Sequence, residues 1–136
     1  FAAYAAATEG AAPVCRFFSA SFAPKSSHFY TPYGFECDLL KVDPAWTYEG
    51  IAFHLPLPAG DGTCPAGTLP VYRLYNQGQT GAPNHRFTTD TTTRRAFAPG
   101  QGWVGEGLGA SGVGMSTPVR TRVSRPARAR CRPPRW

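Results

Sequence analysis

The chain has 136 residues, a formal charge of +6, 16% charged and 13% aromatic residues, which suits one compact domain. Its 15 Gly and 14 Pro fall short of the roughly 25–30% that marks low-complexity chains, and no apolar run nears the roughly 18–20 residues that cross a bilayer, so a wholly disordered chain and a membrane span are both excluded. Half of the basic residues are arginines between 120 and 135; residues 1–116 carry seven basic against eight acidic groups, so the body is close to neutral and the basic character belongs to a tail.

In chain order, residues 1–12 (FAAYAAATEGAA) read as an Ala-rich linker. Val14-Cys15-Arg16-Phe17-Phe18 alternates and is rich in β-formers, which predicts a strand. The Pro/Ser-rich residues 19–27 then turn into a second strand, His28-Phe29-Tyr30-Thr31, so the pair reads as a hairpin. Tyr33–Val42 lacks alternation and fits a short helix. Trp46–Phe53 closes the unit as a third strand, and Leu55–Leu69 is a Pro/Gly-rich connection holding Cys64.

The second half repeats the first. A shift of 57 residues aligns 13–53 with 70–110 without a gap and places Arg16 on Arg73, His28 on His85, Trp46 on Trp103 and Glu49 on Glu106. The expected fold is therefore a β-rich α+β domain of two pseudo-repeated β-β-α-β units spanning 13–116, in which each sheet needs the other to bury its aromatic face. Residues 117–136 form an Arg/Pro-rich tail with no period and no acid, which should not fold alone.

The segments VYRLYN at 71–76, HFYT at 28–31 and WTYEGIAF at 46–53 resemble a tandem repeat found in exported bacterial proteins, often C-terminal to secreted hydrolases. The resemblance covers roughly residues 13–116 and implies an extracellular or periplasmic setting more than any activity. It also implies a cysteine directly after GVGM, where this chain has Ser116.

Four widely spaced cysteines in a chain poor in Lys and Glu fit an oxidised, secreted protein and no zinc site. Cys15–Cys37 and Cys64–Cys131 are the first-choice pairs; Cys15–Cys64 with Cys37–Cys131 is the second. No G-x-S-x-G, phosphate-cradling loop or H-E-x-x-H occurs. The strongest catalytic candidates are His28 with Glu49 and His85 with Glu106, but their duplication favours a structural role, hydrogen-bonding between strands of their own unit. Neither cofactor nor metal is expected.

Outward aromatics could stack on sugar rings, with Tyr48, Tyr72 and Tyr75 as the exposed set and Arg16, Arg73 and Asn76 bonding hydroxyls; Trp46 and Trp103 are expected in equivalent buried sites. The leading function is a non-catalytic extracellular binding module for a glycan or surface polymer. The alternatives are a structural subunit docking on a larger protein and a small secreted hydrolase. A pocket lined by one His/Glu pair favours the hydrolase, an exposed aromatic strip favours glycan, and a large apolar patch favours assembly. The tail is expected to bind polyanions only weakly, through charge.

Overall fold

The computed structural model describes residues 2–97, 101–109 and 113–119. The first unit runs β1 (Ala11–Ser19), β2 (Ser27–Thr31), α1 (Gly34–Lys41) and β3 (Thr47–Pro56). The second runs β4 (Thr68–Tyr75), β5 (His85–Thr88), α2 (Thr91–Phe97), β6 (Val104–Glu106) and β7 (Val113–Pro118). Both sheets are antiparallel and share one plan, β2-β1-β3 and β5-β4-β6, with the opening strand of each unit in the middle. The domain is thus the β-rich α+β fold of two β-β-α-β units.

The second unit departs from the first in its closing strand. The stretch β3 pairs with Ala11–Phe18 of β1, whereas β6 pairs with Arg73–Tyr75 and β7 with Thr68–Tyr72 on the same edge of β4. The 57-residue offset that relates Arg16 to Arg73 grows to 62 between Ile51 and Val113, which face the equivalent Cys15 and Tyr72, so five extra residues interrupt this strand. Gly107 makes the break possible. Its φ is +132°, and a Cβ there would lie 2.5 Å from the Val113 carbonyl oxygen.

Core packing follows from alternation. Along β1, Cys15, Phe17 and Ser19 turn toward α1, and Cys15, Phe17, Phe29 and Cys37 form one buried cluster with Leu40 and Trp46 at its margin. The Cys15–Cys37 disulfide fastens α1 to its sheet. The equivalent positions in the second unit are Tyr72 and Arg94, and there the Arg94 guanidinium lies 5.3 Å from the Tyr72 ring centroid, a cation–π contact at the place of the covalent bond. A second cluster joins the units: Val14 and Leu55 from the first, Val71 and Met115 from the second, flanked by Tyr30, Phe53 and Phe87. Each such aliphatic side chain contributes about 1.5–3 kcal/mol on burial, so neither sheet keeps its core without the other.

Residues 1–12 are more than a linker. Ala11 and Ala12 pair with Pro56 and Leu55, the Tyr4 N–H donates to the His54 carbonyl at 3.0 Å, and Ala2 exchanges hydrogen bonds with the Thr117 hydroxyl. The segment satisfies backbone groups that would otherwise edge the sheet. Thr117 and Pro118 likewise belong to β7 and not to a tail. Residues 120–136 and Cys131 lie outside the described residues, so the Cys64–Cys131 pairing does too; Cys64 forms no disulfide with another described residue, and the second-choice pairing is overturned by Cys15–Cys37. Trp46 and Trp103 hold equivalent positions just before β3 and β6, but both are half-buried, because each sits at the end of its sheet. No helix among the described residues is long and apolar enough to cross a membrane.

Candidate functional site

Each sheet carries the same Arg–His–Glu set on three neighbouring strands. Arg16 stands on β1, His28 on β2 and Glu49 on β3, where a register shift between Arg16 and Phe17 marks a bulge. Gly50, at φ +101°, accommodates that bulge beside Glu49. Arg16 Nε lies 2.7 Å from Glu49 Oε2, and Arg16 Nη2 donates to His28 Nε2 at 3.2 Å. In the second unit His85 Nε2–H donates to Glu106 Oε2 at 3.0 Å, and Arg73 Nε lies 3.3 Å from the same oxygen. His28, His85, Glu49 and Glu106 therefore bridge strands of their own unit. In each unit the arginine of the middle strand is shared, and His85 also bonds Glu106 directly.

The two sets differ in what covers them. Side chains of the first are 42%, 39% and 33% exposed in the order Arg, His, Glu. Arg73 and His85 are only 6% and 9% exposed because α1 and β2 of the first unit lie over them. Arg73 Nη1 and Nη2 each donate to Glu36 of α1 at 2.8 Å, a bidentate ion pair across the junction between units. The Thr31 hydroxyl donates to the same carboxylate. Burial alone would raise the Glu36 pKa, but the Arg73 and Thr31 hydrogen bonds outweigh it and hold the carboxyl below its ordinary value.

Beside this ion pair opens a cleft of about 360 Å³, lined by Phe29, Glu36, Leu39, Leu40 and Trp46 of the first unit and by Arg73, Tyr75, Pro83, His85 and Glu106 of the second. Its walls are aromatic: Tyr75 stacks on His85 at 4.7 Å and 17°, Phe29 meets that ring edge-on at 4.5 Å, and Phe29 lies 6.2 Å from Trp46. His85 Nδ1 is buried and has no hydrogen-bond partner among the described residues. Leu39 of the cleft wall is 66% exposed, and Phe35 on the same helix and Val42 just after it are 67% and 80% exposed.

Of the six residues expected to touch ligand, Tyr75 and Arg73 line the cleft and Arg16 stands exposed in the first unit. Tyr48 is exposed but away from the cleft, its ring against Phe17 and under the Lys41 ammonium. Tyr72 is buried, because it fills the place of Cys15 beneath its helix. Asn76 is buried as well: its amide donates to the Gln79 and Ala82 carbonyls and accepts from the Gly78 and Asn84 N–H groups, which leaves nothing for a ligand. Sequence reasoning missed Glu36, Phe29 and Trp46 as site residues. A signal existed for Glu36, the one acid of the first helix whose aligned counterpart, Thr93, carries no charge. Among the described residues no group of three or more His, Cys, Asp or Glu could hold a metal ion.

A family model described as a domain of unknown function (DUF5648) matches residues 1–113. No curated protein and no solved structure matches the chain.

Proposed function

We propose that this chain, which belongs to the DUF5648 family, is a non-catalytic binding module of a secreted protein that takes a glycan in the cleft between its two units. The observation that carries the reading is the cleft's composition: Trp46 and Tyr75 put aromatic surface in its wall for the apolar side of a sugar, and the Glu36 and Glu106 carboxylates stand beside it to accept from sugar hydroxyls. Both carboxylates already pair with Arg73, so a neutral ligand enters without taking the partner of either. The Arg73 and Thr31 hydrogen bonds that hold the Glu36 carboxyl below its ordinary value keep it an acceptor for sugar hydroxyls. The disulfide supports an oxidising compartment.

The His85–Glu106 pair in the cleft favours a hydrolase as a second reading, and the apolar stripe of α1 favours a protein partner as a third. One experiment separates them. Calorimetric titration of the full chain with a panel of soluble oligosaccharides should give saturable binding that Trp46→Ala and Tyr75→Ala each weaken at least about tenfold, with every sugar recovered intact. Turnover of a sugar or ester that His85→Gln abolishes in folded protein would support the hydrolase instead. No binding by any sugar, with self-association removed by Leu39→Ser, would support the protein partner.

A further inference from the structure

The duplicated Arg–His–Glu set supplies its own template for a second site. Arg73 shows the complete arrangement: Nε is turned to the Glu of its own sheet, while Nη1 and Nη2 grip the Glu36 carboxylate end-on, with the Phe29 ring centroid 5.4 Å from the guanidinium. Arg16 holds the same place on the first sheet, with Nε beside Glu49 and Nη2 donating to His28 Nε2 at 3.2 Å, and among the described residues no carboxylate is seen hydrogen-bonded to its Nη atoms. Where the units meet, α1 of the first reaches Arg73 and Tyr30 of the first sheet reaches Phe87, but Arg16 and His28 keep 42% and 39% of their side-chain surface exposed.

We propose that Arg16, His28 and Glu49 form a second ligand site that takes a carboxylated sugar, a hexuronic acid residue. Its carboxylate would lie on the Arg16 Nη edge as Glu36 lies on Arg73, a charge-assisted fork. Glu49 Oε2 is taken by Arg16, and its other oxygen is left to accept vicinal hydroxyls. The half-buried rings of Phe18 and Tyr30, paired with His28 and Arg16 across the hairpin, border the site; Phe18 lies 5.0 Å from His28 and Tyr30 5.8 Å from the guanidinium. An acidic peptide side chain would satisfy Arg16 equally but would set its carboxylate beside that of Glu49 with no hydroxyl to offer. A cation and an anion side by side fit a ligand carrying both an acid and donors. The site lies apart from the cleft, and neither reading requires the other.

The test is a heteronuclear NMR titration of the full chain with D-glucuronate and D-galacturonate, monosaccharides chosen so that the arginines between 120 and 135 gain no polyvalent attraction. The Arg16 Nε–H and His28 resonances should shift saturably, D-glucose should leave them unmoved, and Arg16→Gln should weaken uronate binding at least about tenfold while Trp46→Ala leaves it unchanged. Arg16 is exposed, so the variant folds; Arg16→Lys, which keeps the charge and loses the fork, should fall between. Propionate binding as tightly as either uronate would overturn the sugar in favour of an acidic side chain. No shift at Arg16, an unaffected Arg16→Gln, or loss of uronate in Trp46→Ala would overturn the site itself.

Discussion

Arg73→Met removes the cation that two carboxylates from different units share, and Arg16→Met makes the same change where the set is open. Arg73 is 5% exposed and its two partners keep only 20% and 29% of their side-chain surface in water. Breaking a fully buried pair costs about 3–5 kcal/mol, and the residual hydration of Glu36 and Glu106 places this case at the lower end, about 3 kcal/mol. For a domain of this size that corresponds to a drop of about 10–15 °C in melting temperature. At Arg16, 42% exposed, screening by water reduces the same deletion to under about 1 kcal/mol. Thermal unfolding followed by circular dichroism at neutral pH reads both. The pH dependence has a fixed sign: the Glu36 pKa is depressed on folding, so its contribution is present above its ordinary value of 4.5 and is lost as pH falls through the lower folded value. The gap between wild type and Arg73→Met should accordingly narrow below about pH 4.5. Equal melting temperatures for the two variants would refute the claim that the Arg73 junction holds the units together.

Replacing Cys15 and Cys37 together by Ala should cost about 3 kcal/mol, the loop-closure entropy for residues 22 apart, read as a lower urea midpoint; a midpoint unchanged from wild type would mean that α1 is held by packing alone. Gly107→Ala should destabilise by more than about 2 kcal/mol, since φ is +132° and the added Cβ meets backbone 2.5 Å away, whereas Gly67→Ala, with nothing within 4 Å, should cost only the strain of its positive φ; comparable melting temperatures would contradict the break in the β6–β7 strand. Trp46→Ala should cost less than the roughly 3–5 kcal/mol of a buried aromatic, because the ring is half-exposed at the cleft; a full-sized loss would return Trp46 to the core.

The hairpins and helices were legible because period-2 alternation in Val14–Phe18 and Val71–Tyr75 survives in both copies, and duplication turned weak local signals into a register. The tail end of the repeat was not: five inserted residues slide Val113–Pro118 out of the offset, and only pairing with β4 reveals them as the counterpart of Ile51–Pro56. The His and Glu pairs were visible as an invariant of the two copies. Their common partner was not, because Arg16 and Arg73 have the composition of ligand contacts, and which face of each sheet becomes covered depends on how the units dock. Glu36 and Trp46 enter the cleft for the same reason: they belong to one unit and serve the other. Asn76 in VYRLYN has the composition of a sugar ligand, and only the loop that folds back over it consumes its amide.

The location of ligand in the inter-unit cleft is tested most directly by the tryptophan indole N–H resonances. The chain has three, Trp46, Trp103 and Trp136; of the two among the described residues, Trp46 lines the cleft and Trp103 does not. Titration with the tightest-binding oligosaccharide of the panel should shift the Trp46 indole N–H saturably, with the same dissociation constant as calorimetry, and leave that of Trp103 in place. A saturable shift confined to Trp103, or binding by calorimetry with the Trp46 resonance unmoved, would contradict the account.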